Sequence, residues 1–138
     1  MMINIDDLMN FAQVNKHHDD EVNRRSAVHS SYYAVFHQCQ RIASELQIDL
    51  NQKVLDPRNN SRTLTTHQKI AHLLVEYGIQ NKNTKIKFMG QRLTSLHSKR
   101  CAADYELDLE NEFSNQQVGR HILECIQLMQ LYQPAKAQ

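Results

Sequence analysis

Tryptophan is missing from this chain, and glycine and proline number only three and two in 138 residues. Sandwiches, barrels and propellers use such residues at every corner, so their scarcity favours helices joined by a few turns. Cys39, Cys101 and Cys125 lie far apart and form no CxxC pair, which sets aside a structural zinc site and a disulfide framework. No apolar run approaches the ~20 residues that span a bilayer, and no signal-peptide pattern is present. The expectation is a cytoplasmic protein without a membrane partner. The formal net charge is only +1, so attraction to nucleic acid must be local rather than global. Glycine-rich phosphate loops, HExxH, GxSxG and calcium-loop spacing are all missing, and with them the chemistries they carry. Neither a cofactor nor a metal is expected.

What the chain does have is helical periodicity. Between Arg24 and Leu46, the residues Val28, Tyr32, Val35, Cys39, Ile42 and Leu46 fall on one apolar stripe at about 100° per residue. The opposite face carries Ser26, Ser30, Tyr33, Ala34, His37 and Arg41. Small residues admit another backbone closely, so Ser26, Ser30, Tyr33 and Ala34 are expected to form a homodimer face. A short helix starts near Asp6, with acids at its positive end, and fades at Lys16-His17-His18. Those adjacent histidines point apart and chelate poorly. Asp19 or Asp20 then caps the central helix.

Residues 48–64, with Pro57 and Asn59-Asn60-Ser61, read as a long loop whose Arg58 and Arg62 face solvent. Thr65 and Gln68 form a capping box; Ile70, Leu73, Leu74 and Tyr77 follow, and Gly78 reads as the stop. Thr84 reads as the cap of a fourth helix with the stripe Ile86, Met89, Leu93, Leu96 and Ala103. Ser114 and Gln117 open a fifth, with Val118, Ile122, Cys125, Ile126 and Met129. Pro134 ends it, leaving a tail at 134–138. The spacing therefore predicts one all-α domain over residues 1–138, an up-and-down bundle of about five helices with no strand.

Charge is organised in blocks. From Lys82 to Ala103 there are six cations and no acid, after which Asp104, Glu106, Asp108, Glu110 and Glu112 reverse the sign. Lys85, Lys87, Arg92 and Lys99 are the candidates for phosphate contact. His97, Arg100 and Asp104 fall within the apolar stripe of the fourth helix, so Arg100 and Asp104 are expected to form a buried structural pair.

Cleavage of RNA without a metal needs a base, an acid and a cation beside the phosphorane. Histidine suits the proton transfers and arginine the phosphate. Arg25 with His29, and His37 with Arg41, are one turn apart; Arg24 and His29 are five residues apart. These five are the candidate catalytic residues, His37 ranking first because its face is also the dimer face.

In order along the chain, RRSAVHSSYYAVFHQCQRIA, THQKIAHLL and LTSLHSKRCAADYELD resemble the HEPN domain family (higher eukaryotes and prokaryotes nucleotide-binding). Many members carry an Arg-x-Tyr-Tyr-Ala-x-Phe-His helix, a later helix opening on histidine, and an Arg-x-x-Ala-Asp-Tyr segment. Tyr32-Tyr33-Ala34, Phe36-His37, His67, and Arg100 with Ala103-Asp104-Tyr105 match in order and spacing. The resemblance covers roughly residues 20–130. It implies a helical bundle that often dimerises and binds RNA or nucleotides. Nuclease members use Arg-x(4–6)-His in a site completed across a dimer. Here Ser30 stands where the arginine before Tyr-Tyr-Ala would be, and Arg100 is followed by Asp104 and Tyr105 instead of histidine. Arg24 to His29 has the motif spacing, earlier on the helix. The resulting expectation is an RNA-, nucleotide- or partner-binding module of a toxin–antitoxin or defence system. The alternative is a metal-independent endoribonuclease toxin with a composite Arg/His site and an antitoxin partner.

Overall fold

The structure, a computed structural model, describes residues 4–16, 20–106 and 113–132. Among these, five helices form an all-α bundle: α1 (Ile5–Asn15), α2 (Glu21–Glu45), α3 (Thr66–Gln80), α4 (Thr84–Tyr105) and α5 (Asn115–Leu131). The histidine pair at 17–18, Asp19, the acids at 108–112 and Pro134 lie outside the described residues. None of the described helices is long and apolar enough to cross a membrane.

The caps explain where the helices start. Asn4 accepts the Asp7 N–H and Asp7 returns the bond; Thr65 and Gln68 do the same for α3. Asp20 caps α2 by accepting the Val22 N–H, and Ser114 accepts from Gln117 at α5. The fourth helix is capped by Asn83, not Thr84, which is its first helical residue. Asparagine accepts the Ile86 N–H from an extended backbone, the geometry a cap requires.

Two helix ends correct the expectation about glycine. Gln47 and Lys82 take φ of 60° and 52°. At the first, Ile48 N–H reaches the Ala43 carbonyl and Gln47 N–H that of Ser44; at the second, Asn83 N–H reaches Gly78. These are paired bonds of a left-handed helix terminus, made without glycine. Gly78 is not the stop, because it is needed inside α3: a Cβ there would lie 2.5 Å from the Lys87 backbone nitrogen. Gly90 reciprocates from α4, where a Cβ would lie 2.6 Å from the Ala71 carbonyl oxygen. The pair α3–α4 therefore packs closely at two points, Gly78 on Lys87 and Gly90 on Ala71.

The loop at 48–64 is likewise not structureless. Leu55–Asp56 (β1) and Asn59–Thr63 (β2) pair as an antiparallel hairpin. Its anchor is Asp56, 1% exposed, which accepts the Arg58 N–H at 2.9 Å and Arg62 Nη2 at 3.1 Å. Those bonds, the Arg58 N–H first, hold its carboxyl below the usual range. Arg58 and Arg62 thus serve the turn.

Helix α2 packs against all four other helices. Its stripe of Val28, Tyr32, Val35, Cys39 and Ile42 is buried, and Leu46 is half-buried against the core. Ile70 and Leu74 of α3, Ile86, Met89, Leu93 and Leu96 of α4, and Cys125 and Leu128 of α5 complete the main cluster. Ala27, Val28, Ala103, Phe113, Val118 and Ile122 form a second one near the chain end of α4. Ala34 is completely buried within the single chain and Ser30 is 8% exposed. The small face of α2 is thus covered in part by its own bundle, and Ala34 is withdrawn from any dimer surface.

Candidate functional site

Three helices bring aromatic, imidazole and guanidinium groups together at one place. Tyr32, Tyr33, Phe36 and His29 come from α2, His67 from the first turn of α3, and His97, Arg100 and Asp104 from α4. Arg100 is 7% exposed. Its Nη1 donates to Asp104 Oδ2 at 3.2 Å, and its guanidinium carbon lies 5.6 Å from the Tyr32 ring and 5.4 Å from the Tyr33 ring, within cation–π range. Nε of Arg100 is buried and has no partner among the described residues. Burial, the largest influence, opposes the charge, but the Asp104 bond together with the electrostatic contributions of Tyr33, Cys101 and Asp104 outweighs it, and the arginine pKa is raised.

Asp104 is shared. His29 Nδ1 lies 2.9 Å from Oδ2; a carboxylate only accepts, so Nδ1 carries the proton. One acid therefore orients a histidine and neutralises a buried arginine.

The Tyr32 hydroxyl lies 2.7 Å from His67 Nδ1. Burial pushes the Tyr32 pKa up, opposed by Arg100, and pushes that of His67 down to about 4, helped by His97 and Arg100. Both groups are neutral near pH 7. Tyrosine then donates, Nδ1 accepts, and the His67 proton sits on Nε2. The His67 ring stacks on His97 at 4.8 Å and 10° and packs against Phe36 at 4.3 Å. His97 is also held below its usual pKa by burial and then by Arg100. Its Nε2 is 3.5 Å from Cys101 Sγ. The other two thiols, Cys39 and Cys125, are buried and pushed up to about 12.

The expected residues divide into those at this cluster and those elsewhere. Arg100 and Asp104 do pair, and His29 joins them. Arg25 turns away: it bonds Glu21, donates to the carbonyls of Ala102, Ala103 and Glu106, and lies 4.3 Å over the Phe113 ring. It caps the C-terminus of α4 with positive charge. Arg24 donates to the Phe113 carbonyl at 2.8 Å. Arg25 and His29 share the wall of one groove, but hydrogen bonds take Arg24 to Phe113 and Arg25 to Glu21 and the end of α4. His37 is exposed beside Gln40 (2.9 Å), and Arg41 is exposed one turn on. Lys85 and Lys99 are exposed and Lys87 half-buried. Arg92 is spent on Glu124 at 2.6 Å. No group of three or more metal-ligating side chains occurs among the described residues.

Two groups escaped sequence reasoning. The Tyr32–His67–His97 contact joins three helices, and no local pattern contains it. His121, 2% exposed, lies three residues after Val118 and four before Cys125, a position on the apolar stripe that could have been read.

The pair at the centre gives a direct test. Asp104→Ala leaves a buried guanidinium without its counter-charge and should cost on the order of 3 kcal/mol. Thermal melting checks it, with Asp104→Asn expected to lose less because it still accepts a hydrogen bond. An unchanged melting temperature in the alanine variant would refute the clamp. Comparison with protein families, curated proteins and solved structures finds no match for this chain.

Proposed function

We propose that this chain is a HEPN-like helical module that binds RNA or a nucleotide through the Arg100 cluster. The observation that carries the reading is the buried Nε of Arg100, which has no partner among the described residues. A buried donor left unpaired is costly, and an incoming phosphate oxygen satisfies it in the planar geometry that arginine offers. The resemblance adds support. Tyr32, Tyr33, His67, Arg100 and Asp104, scattered over the three matching segments, meet in one cluster.

In this reading the working unit is a homodimer in a toxin–antitoxin or defence setting, with an antitoxin-type protein as a further partner. Ser26 and Ser30 line a groove of about 500 Å³ with Phe11, Val22 and Asp104. Phe11 is 43% and Val22 68% exposed, apolar area of the kind that marks protein contacts. The other reading, a metal-independent endoribonuclease, is favoured by the His29–Asp104 contact, since a base held by an orienting carboxylate is a recurring catalytic arrangement.

One experiment addresses both. Labelled RNA is titrated by fluorescence anisotropy, in EDTA, with light scattering at the same concentrations for the dimer. Wild type should bind at about 10 µM or tighter. Arg100→Lys, folded by circular dichroism, should bind on the order of ten-fold more weakly because the fork is lost. Equal binding by that variant, or none by the wild type, refutes the module. Cleavage that falls about 10²–10⁴-fold in His29→Ala establishes the nuclease reading.

A further inference from the structure

Along the outer side of α2, His29, Tyr33, His37 and Arg41 stand on successive turns. The His29 and Tyr33 rings are 4.7 Å apart, and those of Tyr33 and His37 are 6.0 Å apart, each pair tilted by 39°. All four residues line one groove of about 660 Å³, walled on the α1 side by Asn4, Ile5 and Leu8. The histidine tilts are held by neighbouring side chains: Asp104 fixes His29, and Gln40, itself on the groove wall, lies against His37. Tyr33 is held at its inner edge by Tyr32 and Phe36. Three flat rings are thus fixed along an open wall, with a guanidinium at the end.

We infer that this ladder is a stacking platform for the unpaired bases of a single-stranded nucleic acid. The inference rests on the RNA-binding reading and names the form of strand that the molecule takes. Eight residues of helix rise about 12 Å, room for on the order of two or three bases. Every base has a π-face, so such a wall tolerates any sequence. A duplex hides those faces and is excluded. The charge agrees: the described residues that line the groove include Arg41 and no acid. The α1 wall at Ile5 and Leu8 is apolar, suited to a ring and not to a phosphate, which leaves the backbone at the Arg41 end.

Anisotropy with three labelled probes of eight nucleotides tests it: a single-stranded RNA, the same RNA as a duplex, and an abasic strand of equal charge. The single strand should bind about ten-fold or more tightly than either of the others, given the strength of base stacking on aromatic side chains. Tyr33→Ala and the exposed His37→Ala should each weaken the single strand about ten-fold, while Tyr33→Phe, which keeps the ring, should not. If the abasic strand binds as tightly as the single strand, the ladder is refuted and the RNA-binding reading survives on phosphate contacts alone. Equal duplex binding also refutes it. If no probe binds, both fall.

Discussion

Gly90→Ala should melt below the parent protein, by about 5–10 °C. Two effects of opposite sign compete. Alanine in a helix interior is favoured over glycine by up to about 1 kcal/mol. Against this, the new Cβ would stand 2.6 Å from the Ala71 carbonyl oxygen, 2.7 Å from Val75 Cγ2 and 2.9 Å from the Val75 nitrogen. Two of those three atoms are backbone, so no side-chain rotation relieves the clash and α3 must move as a body. Overpacking of this kind costs about 1–3 kcal/mol and occasionally more, with further loss as Ile70 and Leu74 shift from the core. Packing wins. A melting temperature equal to or above that of the parent would show that the helices can separate at little cost.

Acidification from pH 7 to pH 4 should destabilise the fold by on the order of 3 kcal/mol through His121 alone. This side chain is 2% exposed, its Nδ1 has no partner among the described residues, and its Nε2 lies 3.6 Å from Cys125 Sγ. Burial, with Lys99 nearby, pushes its pKa down to about 4 from the ordinary 6.5, the Val28 backbone opposing. A depressed histidine pKa means that the folded state resists the proton which the unfolded chain accepts. The stability is therefore complete above about pH 6.5 and is lost as the pH falls toward 4. His67 shifts in the same direction but is half-exposed and contributes less. Asp56, with its pKa lowered, acts only in a more acidic window, below its unfolded value of about 3.9. Urea unfolding at pH 7 and pH 4.5 separates these, with His121→Leu expected to flatten most of the slope. The same slope in that variant would assign the acid sensitivity elsewhere.

Much of this architecture follows from residue spacing, and the exceptions have physical causes. The buried stripe of α2 is visible because one period of 3.6 residues governs Val28, Tyr32, Val35, Cys39 and Ile42. The caps at Asp20, Thr65 and Ser114 are visible because a short polar side chain there meets free N–H groups. The β2 strand is not visible: Asn59, Asn60, Ser61, Arg62 and Thr63 are all exposed, so no alternation marks them, and their anchor is one buried carboxylate outside the strand. Gly78 misleads because glycine meets two needs, a left-handed turn and a close approach, and here serves the second. Ala34 misleads for a related reason: a small residue signals a close neighbour without saying whether that neighbour belongs to the same chain. At the site, the Arg100–Asp104 pair is legible as a charge on an apolar stripe. The turning away of Arg24 and Arg25 toward Phe113 is not, because their partners lie some eighty residues on.

The reciprocal glycine contacts reach beyond packing. Gly78 lies against Lys87 and Gly90 against Ala71 and Val75, which fixes the antiparallel register of α3 and α4 to a single alignment. His67 and His97 face each other in that same register, 4.8 Å apart. A slip of one turn would separate them, and the backbone contact forbids the slip. The conformational entropy of aligning these two rings is therefore settled when the helices dock, before any ligand arrives. A ligand that meets the cluster finds it preorganised, and its binding free energy is not diverted into assembling the site.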